Sequence, residues 1–349
     1  MPYSKETGVS HISEIKNILK KKDAITYLSS NALSLFEIYW VKSNGNKLKV
    51  HSEGVVLSPK NLKRIMDAPA SFEFIWKVDT EWIIDGIEQV EKLIALGSQK
   101  PQDLIAMDDW RVEFINWIGP ALWHAENEKI RYLDLVVLTM SILEIKSKDF
   151  YTGYDDLPLE VQARNLVVGS TISLFGIIIG YNDLLLIEDI FKTFIYLDYI
   201  YSNDSWTQRE STCLQKINQN GIHSLGPIEK EDLKESIVSS LEMGQQIVKE
   251  NLNNPYIADY LKWSLEDFKG NGLAIKVKMN EMSDLELLIT LVLQGIQYEE
   301  NLLSKKIGLN LNTLFLGEVN LSDRMRRVVT SSIQVANQRN NNFLKISGL

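Results

Sequence analysis

The sequence predicts a mostly α fold in which a small α+β unit precedes a large helical region. Three observations carry this. From Glu81 almost to the end, apolar residues recur at helical spacing. Between Leu35 and Val78 they alternate with polar residues, the period of a half-buried strand. Hydrophobic residues make up 45% of the 349 residues and charged ones 24%, a balance that supports a sizeable core and reads as soluble and globular.

Residues 1–30 read as a polar extension, with a helix over His11–Leu28 signalled by Ile12, Ile15, Ile18 and Leu19. Residues 31–80 form the small ββαβ unit. Leu35–Val41 is aromatic and β-branched, and Asn44-Gly45 is a hairpin signal because both residues tolerate positive φ. Lys47–Val50 returns as the second strand. Ser58-Pro59 starts a helix, serine capping free amides and proline occupying a position whose N–H is not needed. Leu62, Ile65 and Met66 should face inward, Pro69 should end that helix, and Phe72–Val78 should give a third strand.

Residues 81–150 form a helical packing region, with helices over Trp82–Leu96, Pro101–Trp123 and Glu128–Ile145 and Gly97 as a C-cap. In residues 151–349 the spacing predicts helices over Leu159–Ile179, Asp183–Tyr201, Lys230–Leu252, Pro255–Leu265, Ser283–Leu303 and Leu321–Asn337. Ser202–Pro227 reads as a long connection, from the turn signals Asn203-Asp204-Ser205 and Asn220-Gly221.

The net charge of −9 disfavours nucleic acid and anionic membranes as partners, because an acidic surface repels phosphate. Arg324, Arg326, Arg327, Arg339 and Lys345 form a local basic exception that reads first as a solvated helix face. Cys213 is the sole cysteine, which leaves no intrachain disulfide or thiolate zinc site and fits a reducing cytoplasm. Met1–Lys22 has no apolar stretch of the kind a secretory signal needs. The apolar run Leu166–Tyr181 is 16 residues, short of a bilayer span, and reads as a buried core helix with Gly169 and Gly176 on one packing face.

No chemistry-bearing motif is intact. The four histidines, His11, His51, His124 and His223, have no partner at helical spacing, and no nucleophile elbow, Walker loop or dinucleotide fingerprint is present. The segment Trp263-Ser264-Leu265-Glu266-Asp267-Phe268-Lys269-Gly270-Asn271-Gly272-Leu273-Ala274 nonetheless has a distinctive glycine frame. It resembles the signature of the HD-GYP family of metal-dependent phosphodiesterases, HHExxDGxGYP, keeping Glu266, Gly270 and Gly272. Ser264 and Leu265 stand in place of the two histidines, Lys269 in place of the aspartate, and Leu273-Ala274 in place of Tyr-Pro.

Element order extends the resemblance over roughly residues 150–305. Gln162 stands where the family's first histidine would lie. Leu197-Asp198 matches the His-Asp pair with only the aspartate kept, Ser240 replaces a further histidine, and Leu293 or Gln294 replaces the final aspartate. The resemblance therefore implies an HD-like bundle whose metal-site positions are Gln162, Leu197, Asp198, Ser240, Ser264, Leu265, Glu266 and Leu293, with most of the ligands replaced. Two-metal hydrolysis needs imidazoles and carboxylates converging on the cations. Asp198 and Glu266 alone make a poor transition-metal site, and the Glu266-Asp267 pair reads as solvated at a helix end.

The expected function is that of a catalytically inactive regulatory or scaffold protein of bacterial signalling, without cofactor or metal. The resemblance implies a protein partner, such as a diguanylate cyclase or an adaptor domain. Trp110, Trp117 and Trp206 are candidate exposed anchors, and the edge strands of the N-terminal unit are candidates for homodimer pairing. The alternative is a sensor that binds a cyclic dinucleotide, cyclic di-GMP, without cleaving it, by way of Lys262, Trp263, Lys269, Arg164 and Arg209.

Overall fold

The computed structural model describes residues 18–19, 21–24, 34, 36–52, 55–68, 71–75, 92, 109–113, 159–181, 183–195, 197, 207–220, 224–267, 270–301 and 304–309. Their architecture is mostly α with a small α+β N-terminal part. Asp198, Lys269, Trp117, Trp206, the helices expected over 128–145 and 321–337, and the C-terminal basic residues lie outside the described residues.

The N-terminal sheet contains β1 (Ile18–Leu19), β2 (Glu37–Val41), β3 (Lys47–His51) and β4 (Ser71–Ile75), in the order β1-β4-β2-β3 and antiparallel throughout. The hairpin between β2 and β3 closes as expected. Lys42 N–H donates to the Asn46 carbonyl at 2.9 Å, and Gly45 takes φ +80°, where an L side chain is strained. Phe36, Ile38, Leu57 and Phe74 are fully buried, and the Phe36 and Phe74 rings meet edge to face at 5.8 Å. On the other face Lys49 pairs with Glu37 at 2.6 Å and Lys47 with Glu73 at 2.5 Å.

Short α1 (Lys21–Ala24) follows β1, where the sequence suggested one longer helix. Helix α2 (Pro59–Asp67) starts where expected, with Ser58 Oγ accepting from Asn61 N–H. Its inward residue is Ile65. Met66 lies on the outside at 39% exposure, against expectation. The Lys21 ammonium donates to the Met66 and Ala68 carbonyls and so satisfies the end of α2.

Helix α3 (Leu159–Ile179) is the centre of the helical part. Side chains from Asn165 to Ile178 are buried on every face described, including Ser170, Thr171 and Ser173. A helix that is apolar all round belongs in a protein core or a membrane, and neighbours on several sides surround this one. Among the described residues no helix is long and apolar enough to cross a membrane. Helix α4 (Leu184–Ile195) packs closely on α3. A Cβ on Gly169 would stand 3.1 Å from the Phe191 carbonyl oxygen, so that glycine sets the approach of the two helices. Gly176 has open space around it and plays no such part.

The connection expected over Ser202–Pro227 instead contains α5 (Gln208–Asn220). Its start is a reciprocal cap: Thr207 N–H donates to Glu210, and Glu210 N–H donates to Thr207 Oγ1. Cys213, Leu214 and Ile217 form its buried stripe. Helix α6 (Pro227–Lys249) follows, seamed to α5 by Arg209–Asp232, Ser236–Glu210 and Lys216–Glu229 contacts.

Residues Pro255–Leu265 form an extended 3₁₀ segment, and a 3₁₀ turn Met279–Glu281 leads into α7 (Asp284–Gly295). The helix expected to reach Leu303 stops at Gly295. β5 (Ile296–Asn301) and β6 (Ser304–Leu309) then pair antiparallel, with Glu299 in register with Lys306 and Glu300 with Lys305. Gly295 is a poor residue to continue a helix.

The 3₁₀ segment packs on α4, α6 and α7, and α3 packs on α7. Arg111 joins another part of the chain to this bundle. Its guanidinium donates to the Ile177 and Ile178 carbonyls at 2.8 and 2.9 Å, where the end of α3 leaves acceptors free.

Candidate functional site

The glycine-framed loop that follows the 3₁₀ segment is organised around Glu266. Its carboxylate lies buried and accepts backbone N–H bonds from Ala274 at 3.0 Å, Ile275 at 2.5 Å and Lys276 at 2.9 Å. Successive amides can converge on an anion where a left-handed residue interrupts the chain, and Lys276 has φ +62°, the one positive φ at a non-glycine among the described residues. The loop thus makes an anion-binding nest and fills it with its own side chain. Burial raises the Glu266 carboxyl above its ordinary value. The amides of Ile275, Lys276, Ala274 and Val277 oppose that rise by favouring the charged form.

Asp267 is buried too. It accepts from Asn271 N–H at 2.8 Å and lies 3.3 Å from the Lys230 ammonium on α6, which also donates to the Asn271 carbonyl at 2.6 Å. Leu273 N–H closes the loop on the Leu265 carbonyl at 2.8 Å, and Gly270 takes φ +77°. The expectation that Glu266-Asp267 would be solvated is therefore wrong: residues up to ten positions later fold back and supply the donors.

The other expected positions that the structure describes lie inside the bundle. Gln162 on α3 is fully buried, and Leu197, Leu265 and Leu293 share one apolar core. Ser240 on α6 is buried, and Ser264 Oγ donates to the Leu261 carbonyl of its own turn at 2.6 Å. Leu273 is buried and Ala274 half-buried against that core. Leucine carries no donor atom for a metal, and the Glu266 oxygens already accept the amides of their own loop. Among the described residues no three histidine, cysteine or carboxylate side chains cluster as a metal site.

Of the residues suggested for nucleotide binding, Lys269 and the Arg164 side chain lie outside what the structure describes. Trp263 is 5% exposed, too buried to stack on a base, and Arg209 is paired with Asp232. Trp110, suggested as an exposed anchor, is a core residue at 3% exposure. A cavity of about 580 Å³ does open beside the loop, between Gly270–Leu273 and the start of α6, with Lys230, Lys234 and Lys276 on its wall together with Glu231 and Asp267. The lysines followed from no sequence motif, since they come together only when the loop folds onto α6.

Asp189 was also silent in the sequence. Fully buried on α4, it accepts from Asn253 N–H, Asn253 Nδ2 and Asn254 N–H at 2.7–3.1 Å, and so anchors the turn that starts the 3₁₀ segment. Comparison with family models, curated proteins and solved structures finds no match to this chain.

Proposed function

We propose that this chain is a non-catalytic interaction module, a regulatory or scaffold protein whose helical part serves as framework and whose surface binds a protein partner. The carrying observation is the Glu266 nest. Of the positions that the HD-GYP resemblance assigns to metal ligands, Glu266 is the described one that still bears a carboxylate, and its oxygens are bonded to the loop's own amides. Leucine and buried hydroxyls at Leu197, Leu265, Leu293, Ser240 and Ser264 support the same reading. On this reading the partner belongs to bacterial signalling, of the diguanylate-cyclase or adaptor kind.

The test is affinity capture with the full chain after chemical cross-linking, with a control in which the chain is first unfolded. A stoichiometric partner that recurs across independent preparations supports the proposal. Turnover of a phosphodiester by the purified chain, with stoichiometric iron or manganese bound, overturns it.

The lysine-walled cavity favours a second reading, retention of an anionic ligand such as a cyclic dinucleotide beside the old loop. Isothermal calorimetry with cyclic di-GMP separates the two. Micromolar binding that disappears in a Lys234→Glu, Lys276→Glu double variant supports the sensor, whereas absence of heat leaves the interaction module.

A further inference from the structure

We propose that the trough between the N-terminal sheet and α2 is a binding site for a small aromatic carboxylate. The trough holds about 190 Å³. An apolar cavity of about 150 Å³ accommodates a benzene ring, so this space takes one ring or two fused rings. Its floor is flat and aromatic. Trp40 on β2 and Phe72 on β4 are directly opposed in register, so their side chains share one face of the sheet, and both line the trough. Trp40 is 38% exposed, which leaves ring surface for a ligand to stack on.

Helix α2 supplies the opposite wall. Ile65 packs inward, and Asn61 and Arg64, neighbours on one side of the helix, border the trough. Neither the Asn61 side-chain amide nor the Arg64 guanidinium bonds to any described residue. His51 also lines the trough. Its Nε2 is held by the Val55 carbonyl at 3.1 Å, and burial pushes its imidazole below the ordinary value, so near neutral pH it carries no charge. Among the described residues of the lining, Arg64 is therefore the one charged group, and no carboxylate stands with it.

This combination selects a small molecule. A ring over Trp40 and Phe72 and an anion on Arg64 have to belong to one group of about this size, and no internal side chain of a protein joins a ring to a carboxylate. Phenylalanine or tryptophan would fill the floor and leave Arg64 unmatched, and aspartate or glutamate would do the reverse. A second copy meeting this one trough to trough would set Arg64 against like charge. A carboxylate instead meets the guanidinium through two parallel N–H···O bonds, with the Asn61 amide one helical turn away as a further donor.

The inference is independent of the interaction-module reading, and either can fail without the other. The test uses the full chain and a fluorinated naphthoate, with the matching neutral naphthamide as control, each followed by fluorine NMR titration. The naphthoate should bind below about 1 mM and at least about fivefold more tightly than the amide. Arg64→Gln should remove that preference and leave amide binding within about twofold of the parent. Trp40→Ala should weaken both probes by about fivefold or more. Arg64 is an exposed helix position, so its variant does not depend on the Trp40→Ala chain folding. Adenosine monophosphate, which also joins a ring to an anion but is larger, should not displace the naphthoate.

No binding up to about 1 mM, equal binding of the two probes, or a preference that survives Arg64→Gln overturns the proposal. Displacement by adenosine monophosphate overturns the assignment to a small carboxylate. Loss of naphthoate binding in a Lys234→Gln chain, with Arg64→Gln unchanged, places the probe in the lysine-walled cavity and also overturns it. So does a concentration-dependent dimer in sedimentation that Trp40→Ala abolishes, since the trough then belongs to a second copy.

Discussion

The Glu266 side chain lies directly on Gly272. A Cβ at Gly272 would stand 2.5 Å from the Glu266 carboxyl carbon and 2.7 Å from its Cα. The second contact is with backbone, so no rotamer change relieves it. Gly272 is required because the chain crosses itself there, and its partner in the frame, Gly270, is required for its φ of +77°.

Gly272→Ala is therefore expected to destabilise the chain by about 2–4 kcal/mol, through displacement of Glu266 from its amides. Gly270→Ala should cost about 1–2 kcal/mol, the strain of an L residue in the left-handed region. Urea unfolding followed by circular dichroism gives both values. A Gly272→Ala chain as stable as the parent would show that the crossing is not as close as described.

Glu266→Gln keeps the size of the side chain and replaces one acceptor oxygen with a donor. Three successive amides then face an NH₂ group across part of the nest, and a loss of about 2–4 kcal/mol is expected. Amide hydrogen exchange localises the effect: the Ala274, Ile275 and Lys276 amides should lose protection first, before those of α3.

Asp189 joins α4 to the turn at Asn253 and Asn254 by three accepted hydrogen bonds. Removing the acceptor strands buried donors, so Asp189→Ala should cost about 2–3 kcal/mol. Asp189→Asn should retain part of that stability, because one carbonyl oxygen still accepts. An alanine variant no less stable than the asparagine one would argue against the anchor.

His51 titrates against the fold. Burial pushes its imidazole below the ordinary 6.5, opposed by the bond to the Val55 carbonyl. Below 6.5 the unfolded chain takes up a proton that the folded chain resists, so stability is complete above that value and is lost as pH falls from it through the folded pKa. Denaturant titrations across that interval should show the decline in the parent chain, and a His51→Gln variant should lack that component.

Much of the fold was legible because its signals are local. Ser58-Pro59 and Asn44-Gly45 specify a cap and a turn through their own φ, ψ and side-chain oxygens, and the structure places α2 and the hairpin there. The apolar run from Leu166 through α3 announced its burial. Helix α5 had a readable start in Thr207 and Glu210 and a stripe in Cys213, Leu214 and Ile217, but the neighbouring Asn203-Asp204-Ser205 and Asn220-Gly221 turn signals outweighed them. The end of α7 was missed because Ile296 and Tyr298 satisfy a helical stripe as readily as an alternating strand.

By itself the sequence determined the fold class, the positions of most elements in the described part, and the glycine frame at Gly270 and Gly272. Only the tertiary structure decided what that frame does. Whether Glu266 meets water, a cation or backbone amides depends on where Ala274–Lys276 return, and that return is fixed by the packing of Leu265 and Leu273 into the core. Local preference acts over a few residues, whereas the environment of a buried charge is set by whichever distant groups the packed chain brings to it.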